Sequence, residues 1–189
     1  MLTITKPQQK KAKELAFLAI KTEFSEKANA DDIKKIKELA KELDRISAGV
    51  FVTLKIDNEL RGCIGFPTAR PLGKAIIEAA KLSAFADPRF MPLTKDELKK
   101  IAIEISLLSQ PEEIKTKNLD EIIANIIIGK HGLIVSDGIK SGLLLPQVAL
   151  EFNFDALTFL QQTCLKAGLS SDSWLDERTK IYRFEGIWF

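Results

Sequence analysis

One short run carries the densest chemistry in this chain: Leu60-Arg61-Gly62-Cys63-Ile64-Gly65. Read as a strand, it puts Arg61, Cys63 and Gly65 on one face and Leu60, Gly62, Ile64 and Phe66 on the other. Arg61 then holds a fixed positive charge about 7 Å from Cys63, given a rise of ~3.3 Å per residue. A cation at that range favours thiolate over thiol, as a nucleophilic or redox cysteine requires. The same spacing also describes a small buried hydrophobe beside an arginine in a structural ion pair, since free Cys is among the most buried residue types. Gly62 and Gly65 weaken a strand, so they predict a bulge, or room for another backbone or a ligand.

Four further side chains are candidates. His131, flanked by Gly132 and the Gly129-Lys130 pair, is the sole histidine and the side chain whose ordinary pKa lies nearest neutrality. Next to Cys63 it would act as a base; otherwise it caps a turn or fills a partly buried gap. Glu104 is the one charge in Ile101–Leu108, placed to orient His131, to pair with Arg61 or to face water. Asp87 and Arg89 flank Pro88 ahead of Phe90; Arg89 offers a fork for an anionic substrate, or the two brace their own loop. Cys164 reads as core. One His and two distant Cys do not supply the usual zinc ligand set, so neither a metal nor a cofactor is expected. No phosphate-binding loop, dinucleotide fingerprint or nucleophile elbow occurs.

The elements that must position these residues follow from periodicity and punctuation. Thr5-Lys6-Pro7-Gln8 is a capping box for a first helix, and Asn29-Ala30-Asp31-Asp32 opens a second with Ile33, Ile36, Leu39 and Leu43 at helical spacing. From Ser47 the period becomes two, Asp57-Asn58-Glu59 turns the chain, and Leu60–Phe66 returns as the partner strand until Pro67 and Pro71 break it. Leu72–Ala86 reads as a buried helix rich in small residues, followed by the constrained loop Asp87–Pro92. Thr94–Glu97 caps a short helix, Ile101–Leu108 alternates as a strand, and Leu119–Ile128 fits either helix or strand. Asp137-Gly138 marks a hairpin, Asp155–Ala167 a helix stopped by Gly168, and Ile181–Trp188 a last strand. Hairpins mixed with irregularly placed helices predict α+β with a largely antiparallel sheet.

Composition excludes rather than identifies. The 189 residues are 46% hydrophobic and 29% charged, and 28 basic residues against 26 acidic ones leave a net charge of +2. Disorder is excluded, and no bias announces a nucleic-acid or membrane partner. Lysines on the first two segments alternate with acids and read as a solvated face. The first residues lack the pattern of a secretory leader, no apolar run approaches the ~20 residues of a membrane span, and the isolated cysteines suit a reducing cytoplasm.

Leu60–Gly65 also resembles the hallmark of the AMMECR domain family. Val50–Leu54, Ser83–Leu93, Glu104–Leu108, Gly129–Gly132 and Leu144–Ala149 are similar to that family's other blocks, in order. The resemblance runs from about Gly49 to the C-terminus, so one AMMECR domain over residues 1–189 is expected, with residues 1–46 a less diagnostic helical part. It implies an α+β fold of two unequal lobes with the conserved surface between them, and no settled molecular function. Relatives lie beside or fused to Memo-type and radical S-adenosylmethionine proteins, which implies a shared modification pathway.

Two functions fit. One is a binding or adaptor module whose surface (Arg61, Gly62, Gly65, Asp87, Arg89, Phe90) meets a protein or RNA. The other is an enzyme in which Cys63, helped by His131 and Glu104, acts on a small anionic or electrophilic substrate.

Overall fold

The computed structural model describes residues 3–25 and 29–189. Met1 and Leu2, part of the stretch read as lacking a leader, lie outside the described residues. The chain divides into two compact units, a larger one of residues 1–108 with 187–189 and a smaller one of 109–186.

In the larger unit, α1 (Lys6–Thr22) begins at a complete capping box, with Thr5 and Gln8 bonding each other's backbone N–H. Helix α2 (Ala30–Leu43) is capped by the Asn29 side chain, as its sequence predicts. Leu15, Ala16 and Ile20 on α1 and Leu39 and Leu43 on α2 are buried in one core with the sheet, whereas Ile33, in the same series on α2, stays 40% exposed. The sheet runs β2-β1-β3, with β1 (Ser47–Ile56) antiparallel to both β2 (Glu59–Pro71) and β3 (Ala102–Leu108). Val50, Val52 and Leu54 point into the core and are fully buried, as the period of two requires. Phe189 exchanges two backbone hydrogen bonds with Ile105 of β3.

Strand β2 continues through Pro67 to Pro71 instead of stopping at Pro67. It is the edge strand of β2-β1-β3, and its pairing with β1 shifts register between Ala48 and Val50. At such an edge a proline forfeits no ladder bond.

Helix α3 (Leu72–Phe85) is apolar nearly all round and lies directly on this sheet. At Gly62 an added Cβ would sit 2.1 Å from the Ser83 carbonyl oxygen, so helix and strand backbones approach closely there. The buried Ser83 hydroxyl accepts from Ile64 N–H at 2.8 Å and donates to the Val52 carbonyl at 2.7 Å, bridging two register partners of β2 and β1. The glycine therefore makes room for a backbone, one of the alternatives its sequence left open.

In the smaller unit, residues 180–186 of β7 (Lys180–Trp188) pair with β5 (His131–Ser136) and with the short β4 (Glu112–Glu113), and β5 pairs with β6 (Ser141–Leu144), all antiparallel. Leu119–Ile128 resolves as helix α4 (Leu119–Ala124) followed by turns. Its Asn118 cap decides for helix where periodicity did not. Helices α5 (Pro146–Glu151) and α6 (Ala156–Lys166) complete a second core around Phe159, Leu160, Cys164 and Trp174. The architecture is α+β, sheet strands flanked by helices. Among the described residues no helix is long and apolar enough to cross a membrane.

Candidate functional site

Cys63 lies on the edge strand opposite Thr53, and Thr53 lies opposite Glu104 on β3, so thiol, hydroxyl and carboxylate form one row across three strands. Thr53 Oγ1 donates to Cys63 Sγ at 3.2 Å. Glu104 pairs with Lys55 at 3.3 Å, a partner its sequence context did not suggest.

The cation that meets Cys63 is Arg89. Beyond α3, the chain turns through Ala86 and is pinned back by Leu93 N–H to the Ala84 carbonyl at 2.7 Å. That pinned loop delivers Asp87 to the edge of β2. The carboxylate accepts from Cys63 N–H at 2.9 Å, from Arg89 N–H at 3.1 Å, and from Arg89 Nε and Nη2 at 2.9 and 2.7 Å. Arg89 Nη2 also donates to the Cys63 carbonyl at 3.2 Å. Aspartate and arginine thus occupy the outward N–H and C=O of Cys63, the positions a neighbouring strand would take. The Asp87 side chain is 2% exposed, and the guanidinium beside it holds its carboxyl down to about 2.

Arg61 is turned elsewhere. Its Nε and Nη2 form a fork onto Glu97 at 2.8 and 3.1 Å, and Nη2 also donates to the Met91 carbonyl at 2.8 Å. Glu97 was legible as the acid of the Thr94 capping box and does fill that role, accepting Thr94 N–H at 2.8 Å. The box opens only a 3₁₀ turn, Glu97–Lys99, and the same carboxylate binds Arg61, which holds it down to about 2. Arg61 therefore does not supply the thiolate-stabilising charge its spacing suggested. Spacing along a strand fixes backbone distance, and a long arginine side chain then reaches whichever carboxylate the next loop presents.

Burial pushes the Cys63 thiol above its ordinary range, outweighing the Thr53 hydrogen bond and the Arg89 charge that pull it down. Alkylation of Cys63 by iodoacetamide, followed against pH with Cys164 replaced by Ser, is expected to give an apparent pKa above ~8.5. A value below that would reinstate a thiolate nucleophile.

Phe90 stands between the two arginines, its ring centroid 5.8 Å from Arg61 Cζ and 5.5 Å from Arg89 Cζ. Beside it Met91 is 81% exposed. Gly65 belongs to the scaffold, since a Cβ there would meet Phe51 and the Val50 carbonyl. Thr53, Ser83 and Met91 were not among the candidate residues, although each lies in a block that resembles the family's; strand register and helix placement assign the first two their parts.

His131 belongs to the smaller unit. Its Nδ1 lies 3.1 Å from Ile127 N–H and 3.1 Å from the Asn125 carbonyl, closing the turn that precedes β5. Arg183 reaches Asn125 as well, at 3.1 Å to the carbonyl and 2.9 Å to the side-chain oxygen. Burial, with the Arg183 charge, pushes the imidazole pKa down. Among the described residues no group of three His, Cys, Asp or Glu could hold a metal ion.

An α+β scaffold with an edge strand clasped by the loop after the adjoining helix defines a class of protein before any chemistry is assigned. The chain belongs to the AMMECR1 family, whose sequence pattern matches residues 13–189. It is 49% identical to a protein of Methanocella arvoryzae over 79% of this chain and 76% of that one. It is 48% identical to one of Aquifex aeolicus over 84% and 83%. The crystal structure of the uncharacterized protein PH0010 from Pyrococcus horikoshii superposes with a TM-score of 0.84 at 42% identity, covering 98% of this chain and 92% of that one. No activity is attached to the names of these relatives.

Proposed function

We propose that this chain is a binding module, with a protein partner, and that the loop Asp87–Leu93 together with the β2 edge is its recognition surface. The observation that carries the reading is the row Arg89-Phe90-Met91, exposed at Arg89 and Met91, with a half-buried Phe90 ring flanked by two guanidiniums. Arg, aromatic residues and Met are the side chains enriched in protein interfaces. Here Asp87 and Glu97 hold both arginines in place before any partner arrives, which lowers the ordering cost of association.

The same ion pairs argue against RNA and against a small anion. Each guanidinium already has its carboxylate, so little unneutralised charge is left for phosphate. The raised thiol argues against nucleophilic catalysis. Two free cysteines favour a reducing compartment such as the cytoplasm.

Affinity capture from cells expressing the tagged full chain tests this reading, with Met91→Asp, Arg89→Ala and Cys63→Ser compared at equal folded content by circular dichroism. The bound set is expected to survive Cys63→Ser and nuclease treatment and to fall at least about tenfold for Met91→Asp, the scale of an interface anchor. Loss in Cys63→Ser alone, or loss on nuclease treatment, overturns it.

A further inference from the structure

The smaller unit carries a second candidate site that uses none of these residues. Helix α6 buries Phe159, Leu160, Thr163 and Cys164, and turns Leu165 outward at 50% exposure. Opposite it, the end of α5 leaves Phe152 61% exposed. Between Phe152 and Phe154 stands Asn153 in the left-handed region (φ 54°), a conformation asparagine tolerates better than most residues. The reversal stacks the two phenyl rings, 5.6 Å between centroids and 18° apart in plane. These rings, with Leu144, Val148 and Leu165, wall an open cavity of about 460 Å³. That volume lies in the ~300–1,000 Å³ range of small-molecule sites.

Two polar residues complete the lining, Gln162 and Lys166, one turn apart on α6, and no acid lines the cavity. Lys166 has no carboxylate partner among the described residues. An apolar trough ending in an amide and an unpaired ammonium is complementary to one ligand class.

We infer that this cavity binds an apolar monocarboxylate: an acyl or aryl tail against Phe152, Phe154 and Leu165, and the carboxylate on Lys166 with Gln162 beside it. An apolar cation would place like charge on Lys166, and an uncharged alcohol would gain nothing from its charge.

Titration calorimetry on the full chain with decanoate, decanol and decyltrimethylammonium tests the assignment. Saturable one-to-one binding of decanoate is expected, at least about tenfold tighter than the cationic analogue. Lys166→Gln should weaken decanoate about fivefold and leave decanol unchanged. Phe152→Ser should weaken both; these residues are exposed, so unchanged melting temperatures are expected and confirm that the variants remain folded. Absence of saturable decanoate binding overturns the proposal, as does equal decanoate affinity in wild type and Lys166→Gln. Concentration-dependent dimerisation in sedimentation, abolished by Phe152→Ser, would also overturn it by assigning the surface to a second copy of the chain.

Discussion

Asp87→Asn is expected to destabilise the protein by about 2–4 kcal/mol at pH 7, with the loss fading as the solution is acidified. The carboxylate accepts four hydrogen bonds, one from the backbone of β2 and three from Arg89. An amide in its place turns one acceptor into a donor aimed at other donors. The pH dependence has a definite sign. The carboxyl ionises at about 2 in the folded chain, against ~3.9 when unfolded, so the folded state binds the proton more weakly. Its contribution is therefore complete above pH ~4.5 and is lost as the pH falls from there through about 2. Urea denaturation of wild type and Asp87→Asn between pH 7 and pH 2.5 checks this. The gap should be flat above pH ~4.5 and should narrow below it. Glu97, likewise held down to about 2, contributes to both proteins and drops out of the difference. A gap that is the same at pH 2.5 as at pH 7 would mean that the clasp on Cys63 does not depend on ionised Asp87.

Gly62→Ala should cost about 3 kcal/mol or more, although it adds one methyl group in a favourable strand conformation. Its Cβ would lie 2.1 Å from the Ser83 carbonyl oxygen, and neither backbone can yield alone. Helix α3 would have to lift, and the Ser83 hydroxyl would lose Ile64 N–H and the Val52 carbonyl together. Because α3 leads directly into the Asp87 loop, the same displacement would pull the clasp away from Cys63. Gly138→Ala is the control. Gly138 has φ 91° and open space where a Cβ would go, so the change should cost only about 1 kcal/mol of backbone strain. Chemical denaturation of both variants separates a contact from a conformation. Equal losses would remove the close approach as the reason for glycine in the hallmark.

Most elements were legible because their signals are local. The Thr5 and Asn29 caps, the alternation of β1 and β3, the Asp137-Gly138 hairpin and the Asp155-capped helix each depend on neighbours within a few residues. Two elements depart from their local signals. Pro67 did not end β2, because its position on a sheet edge removed the penalty. The Thr94-Glu97 box is complete, yet it opens only the 3₁₀ turn Glu97–Lys99, and its acid also binds Arg61, thirty-six residues earlier in the chain.

The α+β class, the family and the cluster of Cys, Arg, Asp and Phe as the interesting residues were already contained in the order of amino acids, since short-range periodicity and an ordered set of motifs specify them. Tertiary structure alone decided that Arg89 rather than Arg61 meets Cys63, and that Thr53 and Ser83 join the strand edge. It also decided that the thiol is pushed up rather than down. The physical reason is range: an arginine side chain can reach several partners, and desolvation depends on everything packed around the sulfur. Neither quantity exists until distant segments have come together.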